Sequence, residues 1–375
     1  MKTKEMKGIT LVALAVTIVV LLILAGVSIN LVLGNNGIIA KAKDAETKSA
    51  EASQKDLKGM NALTEEMNNA LGEKPKVDLS KYKIGDYVNY TYDTAENYVL
   101  TSATCGSSSN TADGIPQTTG LKWRILNIDE ANGTVDLISE NPTGTSVYFS
   151  NILGYNNGPY LMNEICKAQY SNKSLGVNAR SINLLDMEKH LTAAGIAARN
   201  GYTNGVQKYG ETKTYTSSTK YPSLYAGQKG AGVNVAEANA STIAQPDITK
   251  GNDPYEESKA IATTEPTTDK TYETGNPLTV TQTFYNISIN KDNYGDAASV
   301  LSNSNYFWVA SRYVITNSSN ACFGLRGAYT DADGYGVFYS DGGTYGSSYR
   351  LRPVVSLSSS ILSETKDASG AWNLK

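Results

Sequence analysis

Few residues of this chain have side chains suited to catalysis or metal binding. The single histidine, His190, lies on a predicted helix with an apolar face, and one imidazole cannot build a metal cluster by itself. No nucleophile elbow or phosphate-binding glycine loop occurs in the sequence. The cysteines Cys105, Cys166 and Cys322 show no Cys-x-x-Cys spacing, which argues against a zinc or thiol-redox site. The sequence therefore predicts no enzyme activity, no cofactor and no metal site.

Two of the cysteines are candidates for a covalent cross-link. If the domain is outside the cell, where disulfides persist, we predict one between Cys105 and Cys166. Two unpaired, buried thiols are the alternative.

The chemistry that the sequence favours is recognition. Most residues between Ser311 and Tyr349 are Tyr, Ser, Gly, Asp, Asn or Thr, a composition typical of binding loops with rigid aromatic contacts and adaptable polar groups. The alternative interpretation is that such a segment only forms twisted strands and turns in a polar surface. The predicted ligand-binding residues are Tyr313, Tyr329, Asp331, Asp333, Tyr335, Tyr339, Asp341, Tyr345, Ser347 and Tyr349.

An apolar segment near the N-terminus predicts a membrane connection. Residues 9–33 contain no charged side chain, and as a helix they would measure roughly 37 Å, enough to cross a hydrocarbon core of ~30 Å. Lys2, Lys4 and Lys7 precede this segment, which predicts the N-terminus inside and the head outside. The segment is too long for an ordinary signal peptide. A plain membrane anchor is the alternative to the interpretation that follows.

The residues KGITLV at positions 7–12 resemble the leader junction of type IV prepilins. This resemblance implies that a prepilin peptidase cuts after Gly8 and methylates the new amine of Ile9, and that other pilin-like subunits are partners. Pilins usually carry a glutamate five residues into the mature chain, where this sequence has Ala13. That difference favours a minor or tip subunit over a self-polymerising one.

The chain beyond the leader divides into a stalk and a head. Residues 1–8 form the predicted leader and 9–71 the hydrophobic helix and helical stalk, which ends before Pro75 because proline cannot continue a helix. The head, residues 76–375, shows alternating strand patterns, an Asn132-Gly133 hairpin signal, and helical patterns at 160–169 and 184–198. Residues 201–280 lose hydrophobic periodicity and predict a long polar insertion. We expect an α+β fold with a mixed, mainly antiparallel sheet.

Three motifs in the last part of the chain are FWVASR at 307–312, FGLR at 323–326 and LRPVVSL at 351–357. Together they resemble bacterial C-type-lectin-like domains, a group that includes the variable proteins of diversity-generating retroelements. The resemblance implies a lectin-like head whose binding face, which in that group is hypervariable, lies near the C-terminus. Gln245-Pro246-Asp247 matches a calcium-site tripeptide of animal lectins but lacks its partner motif, so no calcium-dependent sugar site is predicted.

These observations predict an adhesion or recognition protein at the cell membrane and extracellular surface. The expected ligand is an extracellular protein or a glycan. Nucleic acid is not an expected partner, because the net charge is -3 and no basic patch is visible. The alternatives are a structural pilus or type II secretion-like subunit without its own ligand, and an exported enzyme.

Overall fold

The computed structural model describes residues 77–215, 222–224, 226–227, 229, 267–271, 278–316, 320–339 and 343–375. The predicted leader, hydrophobic helix and stalk lie outside these residues, as does Asp341. Within the described ranges, no helix is both long and apolar enough to cross a bilayer. The chain divides into two compact units, Met1–Pro75 and Lys76–Lys375, and the second unit is the head.

The described part of the head is built mainly from strands, with short helices between them, which confirms the α+β class. Its strands are β1 (Tyr87–Val88), β2 (Trp123–Asp129), β3 (Thr134–Ser139), β4 (Ser146–Ser150), β5 (Ala179–Ser181), β6 (Thr203–Asn204), β7 (Gln207–Lys208), β8 (Thr212–Tyr215), β9 (Pro222–Leu224), β10 (Lys270–Thr271), β11 (Leu278–Thr281), β12 (Ile287–Ser288), β13 (Phe307–Thr316), β14 (Ala321–Ala328), β15 (Asp331–Tyr339), β16 (Gly346–Arg350), β17 (Pro353–Ser358), β18 (Leu362–Lys366) and β19 (Trp372–Leu374).

The helices in the same ranges are α1 (Ser102–Cys105), α2 (Asn151–Tyr170), α3 (Leu184–Glu188), α4 (Ala193–Asn200), α5 (Lys291–Tyr294) and α6 (Ala298–Leu301). The helix predicted at 160–169 is the second half of α2. The helix predicted at 184–198 is divided into α3 and α4. The division occurs because the Thr192 hydroxyl accepts the Gly195 N–H at 3.1 Å, which starts a new helix there.

A seven-stranded sheet has the order β18-β19-β1-β2-β3-β17-β5. Its neighbouring strands are antiparallel except β1 and β19, which are parallel and pair Val88 with Trp372. The first and last strands of the head are therefore neighbours. Both faces of β2 and β3 are covered, because Ile125 and Leu137 belong to one buried hydrophobic cluster and Leu126 and Ile138 belong to a second one.

A six-stranded sheet has the order β12-β15-β14-β13-β16-β4 and contains the long antiparallel strands β13, β14 and β15. Helix α2 packs against these strands, and every residue of β14 is buried. Side chains from both sheets and from α2 form a hydrophobic core, and a second buried cluster includes Phe307 and Val309 of β13. This core is the support for the strands that the recognition motifs occupy.

Three buried arginines belong to the three C-terminal motifs. Arg312 donates to the carbonyls of Tyr155 and Asn156 in α2, at 2.7 and 2.8 Å. Arg326 donates to the Thr283 carbonyl. Arg352 donates to four carbonyls, those of Ser139, Glu140, Val300 and Leu301. Buried charge needs such partners, so the arginines of these motifs have a structural role.

The predicted insertion is only partly within the described ranges. Its two ends pair, because β8 and β11 are antiparallel with Thr212 opposite Thr281. Near the beginning of the segment, Tyr209 is buried and packs edge-on against Tyr285 at 5.5 Å. Residues 231–266 lie outside the described residues.

The predicted disulfide is wrong, because Cys105, Cys166 and Cys322 are all free, buried thiols. The Sγ atom of Cys105 lies 3.1 Å from the carbonyl oxygens of Thr101 and Ser107, so it is directed at the backbone around α1. Cys166 lies on α2, inside the hydrophobic core. The alternative of unpaired buried thiols describes these cysteines.

Candidate ligand-binding surface

Tyrosine rings lie directly on glycines of β14 and β15, which have no side chain to obstruct them. A Cβ atom at Gly334 would be 2.4 Å from Cε1 of Tyr313, and one at Gly324 would be 2.4 Å from Cζ of the same ring. A Cβ atom at Gly327 would be 3.0 Å from Cε2 of Tyr349. Glycine inside a strand commonly marks such a close approach. Part of the Gly and Tyr content of this segment is therefore explained by packing.

Tyr313 lies in the interior, although the sequence suggested it as a ligand contact. Its side chain is only 3% exposed, and its ring packs against Phe284 at 4.8 Å between centroids. Burial raises the pKa of its hydroxyl well above the usual range. The ring is part of the packing beneath the sheet and does not form part of the outer surface.

A group of aromatic side chains, which we name the tyrosine ridge, consists of Tyr306, Tyr329, Tyr335 and Tyr349 with Trp308 beneath them. Tyr306 stacks on Tyr329 at 4.5 Å and on Tyr349 at 5.2 Å between ring centroids. Tyr349 also contacts Trp308 at 4.5 Å and Tyr335 at 6.3 Å. Tyr306, which the sequence analysis did not include, therefore joins the predicted residues Tyr329 and Tyr349, and Tyr335 joins the group through Tyr349.

Exposure differs along the ridge. Tyr306 is 46% exposed although both of its ring faces contact other tyrosines, so its outward edge faces solvent. Tyr329, Tyr335 and Tyr349 are half-buried, and Trp308 is fully buried. Strand alternation could not have identified Tyr306, because the residues of β13 that follow it, Phe307 to Tyr313, are all buried.

Backbone contacts hold the tyrosine ridge in place. The Trp308 indole donates to the Val147 carbonyl at 2.7 Å. The Tyr306 carbonyl accepts the Arg350 N–H at 3.2 Å, and the Tyr329 carbonyl accepts the Asn303 N–H at 3.0 Å. A fixed aromatic surface loses little conformational entropy on binding a ligand, which suits it to recognition.

Two predicted carboxylates lie on the same strand as Tyr335. Asp331, Asp333 and Tyr335 are alternate residues of β15 and so share one face of the sheet, and all three are half-buried. Asp333 is opposite Gly327, the residue over which the Tyr349 ring lies. Burial raises the pKa of the Tyr349 hydroxyl, a hydrogen bond with Ser347 lowers it, and the nearby Asp333 carboxylate raises it further.

The predicted residues Tyr339, Tyr345 and Ser347 lie near the end of β15 and the start of β16. Tyr345 is 54% exposed and contacts Tyr339 edge-on at 5.1 Å. The Tyr339 N–H donates to the Gly343 carbonyl at 2.8 Å, and the Tyr345 N–H donates to the Val337 carbonyl at 2.9 Å. Ser347 is half-buried on β16. Tyr339 and Tyr345 form a second aromatic group near the tyrosine ridge.

His190 has surroundings unsuited to acid–base chemistry at neutral pH. Burial, and then the positive charge of Lys189, lower the pKa of its imidazole to about 4. Its Nε2 atom is buried without a hydrogen-bond partner. In the described ranges, no three His, Cys, Asp or Glu side chains are grouped to hold a metal ion. A shallow groove lined by Ser80, Asn127, Glu130 and Lys189 contains none of the predicted site residues.

Comparison with known proteins gives no match: no protein-family model, no curated protein and no solved structure matches the chain.

Proposed function

We propose that the head recognises an extracellular ligand through the tyrosine ridge and that the protein serves adhesion or recognition. The main support is Tyr306, a large aromatic residue that is 46% exposed and stacked between two further tyrosines. Aromatic side chains bury much area per contact and are enriched in binding surfaces. Fixed tyrosines beside small polar residues are typical of surfaces that bind protein or glycan.

The proposed contact residues differ from the sequence prediction in two respects. Tyr313 is omitted because it is buried beneath the sheet, and Tyr306 is added because it connects Tyr329 with Tyr349. Asp331 and Asp333 remain beside the tyrosine ridge, with Tyr345 and Tyr339 as a flanking pair. Asp341 keeps its place in the proposal from the sequence alone.

The fold proposed for the head is a C-type-lectin-like domain. The adjacent first and last strands, β1 and β19, and the long helix α2 against the motif-bearing strands support this proposal. The proposed hypervariability of the C-terminal face is tested by sequencing the same locus from sibling strains. Substitutions concentrated at Tyr329, Asp331, Asp333 and Tyr335 favour it, whereas uniform substitution across the head contradicts it.

For the N-terminus, the proposal retains the pilin-like interpretation. A prepilin peptidase cuts after Gly8, the new amine of Ile9 is methylated, and the apolar segment holds the protein in the cell membrane or among pilin-like subunits. The support is the KGITLV sequence at positions 7–12. Mass spectrometry of the mature N-terminus tests this step. An intact Met1 leaves only a plain membrane anchor.

The test of recognition uses cells that display the full chain. A double variant, Tyr306→Ala with Tyr329→Ala, removes the outer tyrosines, and Tyr87→Ala removes an exposed tyrosine of β1 as a matched control. We expect the double variant to lose adhesion to surfaces coated with extracellular proteins or glycans, while the control keeps it. Unchanged adhesion together with impaired filament assembly supports the alternative of a structural subunit.

A further inference from the structure

The partly exposed charged residues that the structure describes between Ala321 and Tyr349 are of one sign. From Ala321 to Tyr349 the charged residues are Arg326, Asp331, Asp333 and Asp341. Arg326 is 1% exposed, and its guanidinium lies over the Tyr285 ring at 4.4 Å, so it contributes little positive surface. The described carboxylates, Asp331 and Asp333, are both partly exposed. The charge that this segment presents to a ligand is therefore negative.

The carboxylates lie close to the aromatic rings. Asp333 is opposite Gly327 on β14, and Gly327 is in turn opposite Trp308 on β13. The Tyr349 ring lies over Gly327, so Asp333 is beside that ring. At the other end, the Tyr329 N–H donates to the Asp331 carbonyl at 3.1 Å, which fixes the start of β15 next to Tyr329.

The basic residue next to Tyr349 in the sequence is Arg350. Arg350 follows Tyr349 on β16, and the alternation of a strand directs its side chain to the opposite face of the sheet. Its backbone is tied to the Tyr306 carbonyl. The face that presents Tyr349 therefore combines aromatic rings with carboxylates, an arrangement complementary to cations.

Resting on the proposed function, we propose that the tyrosine ridge with Asp331 and Asp333 binds arginine side chains of a basic extracellular polypeptide. A guanidinium is planar, so it can stack on a tyrosine ring and pair with a carboxylate at the same time. It is also more weakly hydrated than an ammonium group, which makes partial desolvation less costly. The negative charge of the two aspartates also accelerates the encounter with a basic partner and disfavours acidic partners.

A glycan is the competing ligand, since sugars also stack on tyrosine and donate hydroxyl protons to carboxylates. The two classes differ in their dependence on charge. Asparagine has nearly the shape of aspartate and keeps an acceptor oxygen but has no charge. Replacing both aspartates by asparagine therefore removes the attraction for arginine and leaves a hydrogen-bond partner for a sugar.

The experiment measures binding of two short peptides to the full chain in detergent. One alternates arginine with serine, and the other has citrulline, the uncharged analogue of arginine, at the same positions. The neutral oligosaccharide maltotetraose is the third probe. The protein variants are Asp331→Asn with Asp333→Asn, Tyr306→Ala with Tyr329→Ala, and Tyr87→Ala as the control.

We expect the arginine peptide to bind and the citrulline peptide to bind at least ~tenfold more weakly, an effect that corresponds to two exposed ion pairs. The double asparagine variant should lose the same factor, and added salt should weaken binding by screening. The double alanine variant should bind neither peptide, and the control should match the unmodified protein.

Three results overturn this inference. Equal affinity for both peptides shows that the positive charge of arginine does not contribute to binding. Binding of the arginine peptide by the double alanine variant shows that the site lies elsewhere. Salt-independent maltotetraose binding that needs Tyr306 and Tyr329, with no arginine binding, makes the ligand a glycan and leaves the proposed recognition function intact. The recognition function itself fails only if the displayed double alanine variant adheres normally.

Discussion

The contact between Tyr313 and Gly334 gives a quantitative test of why tyrosine and glycine occur together in this segment. A Cβ atom at Gly334 would be 2.4 Å from Cε1 of Tyr313, a separation that real side chains do not reach. Gly334 is not among the glycines with positive φ, so Gly334→Ala tests the ring contact without a backbone penalty. The perturbation is a set of three variants: Gly334→Ala, Tyr313→Ala, and both together.

The expected magnitudes follow from packing. Gly334→Ala forces the Tyr313 ring aside, and such overpacking costs about 1–3 kcal/mol. Tyr313→Ala removes a buried ring and leaves a cavity, which costs about 3–5 kcal/mol. In the double variant the added methyl group meets no ring and keeps only its 3.2 Å approach to the Leu325 carbonyl oxygen, so most of the overpacking cost disappears. The double variant should then be more stable than the sum of the single effects predicts, by ~1–3 kcal/mol.

Urea unfolding of each variant, followed by tryptophan fluorescence, measures the free energies of unfolding. Tyr313→Phe is the control, because it keeps the ring on the glycine and should retain most of the stability. Single effects that add to within ~0.5 kcal/mol would refute the proposed ring contact. A Tyr313→Ala variant with unchanged stability would return this residue to the surface and to the list of ligand contacts.

Further predictions concern buried charge, pH and the cysteines. Arg352→Ala removes the guanidinium that donates to the carbonyls of Ser139, Glu140, Val300 and Leu301, and it should lower the free energy of unfolding by about 3–5 kcal/mol in urea unfolding. Arg352→Lys should not restore this stability, because lysine lacks the planar fork of donors. His190 has a pKa of about 4 in the folded protein and ~6.5 unfolded, so the unfolded state binds the extra proton between these values. Stability should therefore fall by roughly 2–3 kcal/mol as the pH drops from 7 to 4, and His190→Phe should remove that contribution in a series of melts across pH. The three buried thiols should resist a thiol reagent in the native protein and all react after denaturation, whereas fewer modified cysteines in non-reduced, denatured protein would indicate a disulfide.

Much of the fold follows from local sequence patterns. Alternation in β2 and β3 and the Asn132-Gly133 turn predict the hairpin that the structure contains. Such signals are local, since a two-residue period directs alternate side chains to one face. The division between α3 and α4 could not be seen in the same way, because Thr192 supplies a cap within a continuous apolar pattern.

The surface was harder to predict, because burial depends on contacts distant in sequence. Tyr313 and Tyr349 both follow strand patterns, yet one lies beneath the sheet and the other on the tyrosine ridge. Both rings lie over glycines of neighbouring strands, but the Tyr313 ring also packs against Phe284, a residue distant in sequence. Cys105 is a similar case, because its thiol is directed at the Thr101 and Ser107 carbonyls for reasons that spacing does not reveal.

The parallel contact between β1 and β19 has a consequence for biosynthesis. Val88 of β1 pairs with Trp372 of β19, and the Asn89 N–H donates to the Trp372 carbonyl at 2.8 Å. Until the ribosome has passed Leu374, one side of β1 has no partner strand. This sheet is therefore completed only after β19 has been synthesised, and the maturation time of the head includes that final step.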